Sequence, residues 1–220
     1  MKSTPRARGA VLATVSSLAL VLAACGSDDD SSDSSASSET TASATETAES
    51  STAPASDQPF GAGCSAVPTA GEGSFAGMTD DPVATAAANN PALSMLVQAV
   101  TAAKLGDSLN TQQDVTVLAP VNAAFEAVPP EQLTTVVRNV PELTAVLTHH
   151  VIQGRLTPDR LAGTHTTLNN DEVTIEGEGD TFTVPAEGTL TGTAASVICG
   201  NVQTANATVY VIDQVLLPPS

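Results

Sequence analysis

The sequence has few basic residues and few aromatic ones. Its 220 residues include 24 Asp and Glu against only 7 Lys and Arg, which gives a formal net charge of −17. Nucleic-acid-binding proteins depend on Lys and Arg to neutralise phosphates, so this composition excludes nucleic acid as a partner. The chain has no Trp, and aromatic residues make up only 2% of it. Its core must therefore be built from aliphatic side chains.

Long apolar runs are also scarce, and the one at the N-terminus predicts a secretion signal. Residues 9–24 are uncharged and follow Lys2, Arg6 and Arg8. The run is shorter than the ~20 residues that a transmembrane helix needs, and a basic start followed by a short apolar segment is typical of a signal peptide. We therefore predict that residues 1–24 are removed on export.

The end of this segment predicts a lipid anchor. The sequence Leu-Ala-Ala-Cys-Gly at residues 22–26 resembles the lipobox of bacterial lipoproteins. By that resemblance residues 1–24 form a lipoprotein signal peptide, and Cys25 becomes the lipid-bearing first residue of the mature chain. Two or more acyl chains hold a protein firmly on a membrane. The alternative is an ordinary signal peptide with an incidental cysteine.

Residues 25–63 are predicted to form a disordered, acidic, Ser/Thr-rich tether. Residues 27–63 lack Lys and Arg, and Phe60 is their only large apolar side chain. Such a segment cannot bury enough apolar surface to fold. Its role would be to hold a domain away from the membrane, and a leader without a spacing role is the alternative. The Ser and Thr content also permits O-glycosylation.

Residues 64–220 are predicted to form one α+β domain. Apolar periodicity predicts helices over residues 82–89 and 91–105, the second ended by Gly106, and further helices beginning at Pro130 and Pro141. Helices that precede strands favour an α+β fold over a parallel βαβ sheet. The predicted strands are short apolar, β-branched runs at residues 115–119, 165–168, 173–175, 182–184, 197–199 and 208–212.

The cysteine count predicts one disulfide. If Cys25 carries lipid, Cys64 and Cys199 remain as a pair, and two thiols in a small exported domain usually bond to each other. Neither cysteine has a His or second Cys at ligand spacing, so we predict no metal site there. The acidic segment 169–180 lacks the ligand order of an EF-hand and is interpreted as a solvated turn.

Three segments together resemble one family. They read TVLAPVNAAF at residues 116–125, LTHHVIQG at 147–154 and VYVIDQVLLP at 209–218. In this order and spacing they are similar to the signatures of fasciclin (FAS1) domains, and the resemblance covers residues 78–218. It is closest to the exported and lipid-anchored single-domain fasciclin antigens of actinobacteria. The resemblance implies a fasciclin-like β-sandwich or wedge with helices packed at one side.

Five motif residues are candidates for structural or recognition roles. Asn122 is expected to be the N-cap of a short helix, and Asp213 to bond local backbone. His150 is expected to be structural, with its ring bonded to backbone or a buried group. His149 stands where the family has Tyr and is the histidine more open to exposure and recognition. Tyr210 stands where many members have His.

The resemblance implies adhesion or extracellular binding rather than catalysis. The sequence contains no nucleophile elbow, Walker loop or dinucleotide fingerprint, so we predict neither enzymatic activity nor a cofactor. The leading hypothesis is a monomeric lipoprotein on the extracellular face of the cell membrane, and in released form, that binds a host or envelope protein or a glycan. The alternative is an envelope protein that binds lipid or a small molecule in a groove between helices and sheet.

Overall fold

The structure is a computed structural model that describes residues 58–219. The predicted signal peptide 1–24, the lipidation site Cys25 and the tether up to residue 57 lie outside these residues. Across 58–219, no helix combines the length and the apolar character that crossing a membrane requires.

Helices occupy most of the first half of the described chain. The second predicted helix is a 3-10 turn at Pro91–Leu93 followed by an α-helix, and Gly106 begins the next helix instead of ending this one. Lys104 has a positive φ of 57° and turns the chain between the two helices. The helices are α1 Phe75–Thr79, α2 Val83–Ala88, α3 Ser94–Ala102, α4 Gly106–Thr111, α5 Asn122–Glu126, α6 Pro130–Arg138, α7 Val140–His149 and α8 Pro158–Leu161.

The strands form one seven-stranded sheet in the order β2-β1-β7-β6-β5-β4-β3. Neighbouring strands are antiparallel except for β1 and β7, which run parallel. The three-residue strand β2 was not predicted as a strand from the sequence. The strands are β1 Val115–Pro120, β2 Val151–Gln153, β3 Gly163–Thr166, β4 Glu172–Glu178, β5 Thr181–Val184, β6 Ala195–Gln203 and β7 Ala207–Ile212.

The sheet curls until its two edge strands almost meet. Ile152 of β2 bridges to Thr167, directly after β3, and the Leu168 amide donates to the Val151 carbonyl at 2.7 Å. Near-closure protects edges that would otherwise expose unpaired backbone groups. The result is a near-barrel wedge with a helical layer, which confirms the predicted α+β class and the single domain.

The adjacent strands β1 and β7 separate two hydrophobic cores. Both strands are buried at every position. Since side chains alternate between the faces of a strand, Val117 and Val209 join the core beneath the helices, whereas Leu118 and Tyr210 join the core inside the curled sheet. Burial on both faces explains why these segments are continuous apolar runs.

The start of the described chain is fixed to β6 by backbone and ring contacts. Phe60 and Gly200 exchange two backbone hydrogen bonds of 3.1 and 2.8 Å. The Phe60 ring lies with its centroid 6.0 Å from that of Phe182 and 6.3 Å from that of Tyr210. Gly200 is required here because a Cβ at this position would overlap the Phe60 ring. Packed structure therefore begins upstream of Cys64, the predicted domain boundary.

A disulfide reinforces this attachment. Cys64 and Cys199 are bonded across a sequence separation of 135 residues, with their Cα atoms 4.8 Å apart. Cys199 is almost completely buried on β6, and Cys64 lies in the 3-10 helix Ala62–Ala66. Closing so long a loop restricts the unfolded chain strongly.

Replacing both Cys64 and Cys199 by Ala should lower the free energy of unfolding by about 4 kcal/mol, because the unfolded chain regains the entropy that the closed loop removes. Urea denaturation of the full chain measures the loss. Reductant should bring the wild type towards the stability of the double variant and leave the double variant unchanged. A wild type insensitive to reductant, with two titratable thiols, would contradict the assignment.

Candidate functional site

His150 joins the helical layer to the C-terminal segment. It follows α7 directly and is 3% exposed. Its Nδ1 lies 2.7 Å from the Val146 carbonyl oxygen, and its Nε2 lies 3.0 Å from the Leu216 amide nitrogen. A carbonyl can only accept and an amide N–H can only donate, so Nδ1 carries the proton and Nε2 accepts. The expected structural role of His150 is therefore what the structure shows.

Burial keeps this imidazole neutral. Desolvation lowers the pKa of His150 from 6.5 to about 4, and the neighbouring His149 acts in the same direction, while the bond to Val146 opposes both. A protonated ring would also lose its acceptor at Nε2 and leave the Leu216 amide without a partner. The contact between α7 and the C-terminal segment thus requires the neutral form.

His149 is buried, which corrects the expectation that it is the more exposed histidine. It is 2% exposed, and its Nδ1 lies 2.7 Å from Oδ1 of Asp171. The Asp171 carboxylate also accepts from the Thr167 hydroxyl and, at 2.6 Å, from the Asn169 side-chain amide. This network ties the end of α7 to the turn between β3 and β4. His149 and Asp171 are 22 positions apart in the sequence, so local sequence patterns did not reveal this network.

Asp171 therefore differs from the rest of the acidic turn. Burial alone would raise its pKa, but the hydrogen bonds from Thr167, Asn169 and His149 outweigh that effect and hold the pKa below its ordinary value. Its carboxylate oxygens are occupied by protein donors. Among residues 58–219, no group of three or more His, Cys, Asp or Glu side chains is arranged to hold a metal ion.

Asn122 caps a different helix from the one predicted. It is the first residue of α5, and the N-cap position is held by Val121 without a side-chain bond. The Asn122 Oδ1 instead accepts from the Met95 amide at 3.0 Å, and its Nδ2 donates to the Pro91 carbonyl at 3.0 Å. Met95 lies in the first turn of α3, so Asn122 fixes the start of α3 against the end of β1.

Tyr210 and Asp213 also bond within the fold. The Tyr210 hydroxyl donates to the Leu156 carbonyl at 3.0 Å inside the curled sheet, and burial raises the pKa of this phenol. The Asp213 carboxylate accepts from the Ser196 amide at 2.7 Å, and the Asp213 amide donates back to the Ser196 carbonyl. Asp213 therefore bonds backbone, but the backbone of Ser196 on β6, 17 residues away, and not the local backbone that was expected.

Asn206 is a polar hub that sequence reasoning missed. It is 4% exposed, and its Oδ1 accepts from the Val83 amide at 2.8 Å. Its Nδ2 donates to the carbonyls of Leu109 and Gln112, each at 2.8 Å. One amide therefore joins the start of α2, the end of α4 and the turn before β7. These partners lie 94 to 123 residues away, so no local signal marks Asn206.

Two apolar cavities lie on opposite sides of α3, and both are bordered by Leu147 and His150. The first, of about 280 Å³, lies between α3, α6 and α7 and is bordered by Ala102 of α3. The second, of about 320 Å³, lies between α2, α3, α4 and β1 and is bordered by Val97 of α3. Because both nitrogens of His150 are engaged elsewhere, its ring adds no free polar group to either cavity.

A near-barrel sheet covered by a helical layer, with its motif side chains bonded inside the fold, is a fasciclin-type architecture. The chain belongs to the fasciclin domain family, whose model, described as "Fasciclin domain", matches residues 91–218.

Two curated relatives are similar over most of their own length. The cell surface glycolipoprotein MPB83 of Mycobacterium bovis is 43% identical over 175 residues, which cover 76% of this chain and 75% of the relative. The immunogenic protein MPB70 of Mycobacterium bovis is 43% identical over 169 residues, which cover 73% of this chain and 82% of the relative. These relatives support an extracellular, cell-surface fasciclin protein.

Among solved structures, the FAS1 domain pair of the insect cell adhesion molecule fasciclin I is 27% identical, with a TM-score of 0.47. The match covers 59% of this chain and 46% of that one, so this chain spans less than half of the domain pair.

Replacing His150 by Gln should remove a pH dependence from the free energy of unfolding. The unfolded chain binds the His150 proton near pH 6.5, whereas the folded chain resists it until about pH 4. The contribution of neutral His150 to the free energy of unfolding is therefore complete above pH 6.5, and it falls by about 3 kcal/mol as the pH drops to 4. Urea denaturation at steps between pH 7.5 and 4 measures this.

Gln keeps a donor and an acceptor but does not titrate, so the stability difference between the wild type and His150→Gln should shrink as the pH falls through this window. The lowered pKa of Asp171 makes the free energy of unfolding depend on pH only below about 3.8, and it does so equally in both proteins. A difference that stays constant from pH 7.5 to 4 would show that His150 does not carry this effect.

Proposed function

We propose that the chain is a lipid-anchored surface protein whose fasciclin domain binds a protein partner. The similarity to a cell surface glycolipoprotein over three quarters of both chains carries the proposal. The lipobox-like sequence ending at Cys25 supports a lipid anchor, and the acidic composition of residues 27–63 supports a spacer between membrane and domain. The proposed organisation is a signal peptide at residues 1–24, a tether that starts at Cys25, and a fasciclin domain whose packing begins at Phe60, upstream of the boundary expected at Cys64.

The motif residues are not the contact surface in this proposal. His149, His150 and Tyr210 are buried, and each bonds a group of the same chain. The hydrogen bonds of these residues stabilise the fold. A partner could contact the three side chains only if the domain unfolded locally. Recognition must use side chains that are exposed in the folded state.

A groove between α6 and the C-terminal segment offers such side chains. Leu217 is 39% exposed, and it lines an open depression of about 490 Å³ together with Val136 and Leu190. Val137 is 40% exposed and borders the neighbouring cavity between α3, α6 and α7 instead. The charged side chains that line this depression, Glu131 and Glu142, are both acidic.

An apolar floor with an acidic rim fits a protein segment with apolar anchors flanked by Lys or Arg. Strongly anionic glycans are disfavoured because Glu131 and Glu142 would repel them, as would the net charge of −17. Of the expected partners, a basic, amphipathic segment of an envelope or host protein fits best.

Replacing Cys25 by Ala should move the chain from the membrane fraction to the medium, since the acyl chains that hold it on the bilayer can no longer be attached. Cell fractionation and intact-mass measurement follow the change. Ser65→Ala, an exposed substitution at a residue outside the lipobox, should leave the chain on the membrane. Membrane retention of Cys25→Ala without acylation would contradict the anchor.

Replacing Leu217 by Asp should abolish partner capture, because it places a charge on the apolar floor of the depression, where the partner would bury it, and increases the acidic repulsion. Envelope and host-cell extracts are passed over the immobilised chain, and captured proteins are identified with and without 0.5 M salt, a concentration of about three times the physiological value. Thr181→Asp adds the same charge on the exposed face of β5 and should keep capture. Proteins held equally by both variants would refute the groove.

A further inference from the structure

We propose that the cavity between α2, α3, α4 and β1 binds one apolar chain with a neutral or cationic head. This site goes beyond surface adhesion and does not depend on it. The cavity has a volume of about 320 Å³. Apolar side chains from all of these elements and from α7 form its wall, chiefly Leu96, Val100, Leu109, Val117 and Leu147.

The cavity offers little for water to bond. His150 borders it, but its two nitrogens already bond the Val146 carbonyl and the Leu216 amide. Within the part of the chain that the structure describes, no buried side-chain nitrogen or oxygen lacks a hydrogen-bond partner. The few polar side chains of the lining include Thr85, Thr101 and Asn110, and the rest of the wall is mainly apolar, a surface that favours apolar molecules. The floor therefore selects for hydrocarbon.

Two side-chain amides, the buried Asn206 and the half-buried Asn110, join the walls of the cavity. Asn206 bonds the Val83 amide at the start of α2 and the Leu109 carbonyl of α4. Asn110 of α4 bonds the Ala84 amide of α2 at 3.0 Å. These bonds fix α2 and α4 relative to each other, so the space between them is not free to collapse. A preformed cavity reduces the ordering cost of binding.

The rim selects the head group by charge. Asp107 of α4 is exposed and is the only charged side chain that lines the cavity in the described chain, apart from the neutral His150. No Lys or Arg of residues 58–219 lines it, so a carboxylate head would meet repulsion without a counter-ion. An alcohol, ester or ammonium head is compatible with this rim, whereas a free fatty acid is disfavoured.

The volume limits the length of the ligand. An apolar cavity of about 150 Å³ is enough to hold benzene. A cavity of 320 Å³ is about twice that size and accommodates about a dozen non-hydrogen atoms. A saturated chain of about ten carbons is therefore the appropriate probe, and longer acyl chains would have to leave their ends outside.

The test uses 1-decanol, decylammonium and decanoate as probes in isothermal titration calorimetry. The protein is the full chain with Cys25→Ser, so that no acyl group of its own competes and no detergent is needed. We expect one site, with decanol and decylammonium bound at least about fivefold more tightly than decanoate, as repulsion of about 1 kcal/mol predicts. Failure of all three probes to bind, or tighter binding of decanoate, overturns the proposal.

Asp107→Asn tests the rim without touching the core, because Asp107 is exposed. It should narrow the gap between decanol and decanoate and weaken decylammonium by about threefold, with decanol unchanged. A gap between the decanol and decanoate affinities that is as wide in Asp107→Asn as in the wild type would place the probes elsewhere.

Two substitutions on α3 locate the bound chain. Val97→Trp fills the proposed cavity, whereas Ala102→Trp enters the neighbouring cavity on the other side of α3. The first should lose decanol binding and the second should keep it, with urea denaturation confirming that both are folded. If Val97→Trp does not fold, the Asp107→Asn affinities decide alone. Loss of binding only in Ala102→Trp refutes the assignment. Partner capture is measured separately, so either proposal can fail without the other.

Discussion

The parallel pairing of β1 and β7 is the constraint on which the rest of the structure depends. The two strands align from Val115 with Ala207 to Pro120 with Ile212, at positions two and three of the seven-stranded order. Each is buried on both faces, so each contributes side chains to both cores. A register shift of one residue would exchange the two sets and place Tyr210 beneath the helices. The two cores thus specify the same register independently.

The helical layer is fixed to this sheet by buried polar groups as well as by apolar packing. Asn122 holds the start of α3, Asn206 holds α2 and α4, and His150 holds the end of α7 to the C-terminal segment. Asn122 and Asn206 bond backbone groups at helix ends, which lack a partner within their own helix. His150 instead links the last turn of α7 to the Leu216 amide. Short helices of four to ten residues would be marginal alone. Their positions therefore depend on these few side chains, and the cavities between them persist for the same reason.

Sequence reasoning predicted what local patterns encode and missed what distant contacts decide. The motif segments 116–125, 147–154 and 209–218 identified the family, because each contains a segment of the central sheet or of α7. The helix break at Lys104 was misplaced to Gly106, because a left-handed turn made by Lys has no glycine to mark it.

The candidate site shows the same division. His150 was interpreted correctly as structural, since a histidine within an apolar segment must find partners. The prediction that His149 is exposed was wrong, because its partner Asp171 lies in the turn between β3 and β4. Asn122 caps α3 instead of α5, because the fold places Pro91 and Met95 beside it. None of these partners is visible in the spacing of residues along the chain.

The position of the N-terminal attachment would have a mechanical consequence under the proposed anchoring at Cys25. Phe60 and Cys64 join the domain at Gly200 and Cys199 of β6, which is the fourth of seven strands. Tension arriving from upstream of Phe60 therefore enters at the middle of the sheet, where β6 is paired on both sides with β5 and β7. Strands are separated most easily when pulled from an edge, one hydrogen bond after another. Attachment at the centre, closed by a covalent bond, loads many backbone hydrogen bonds together, and the edge strands β2 and β3 carry none of that load directly.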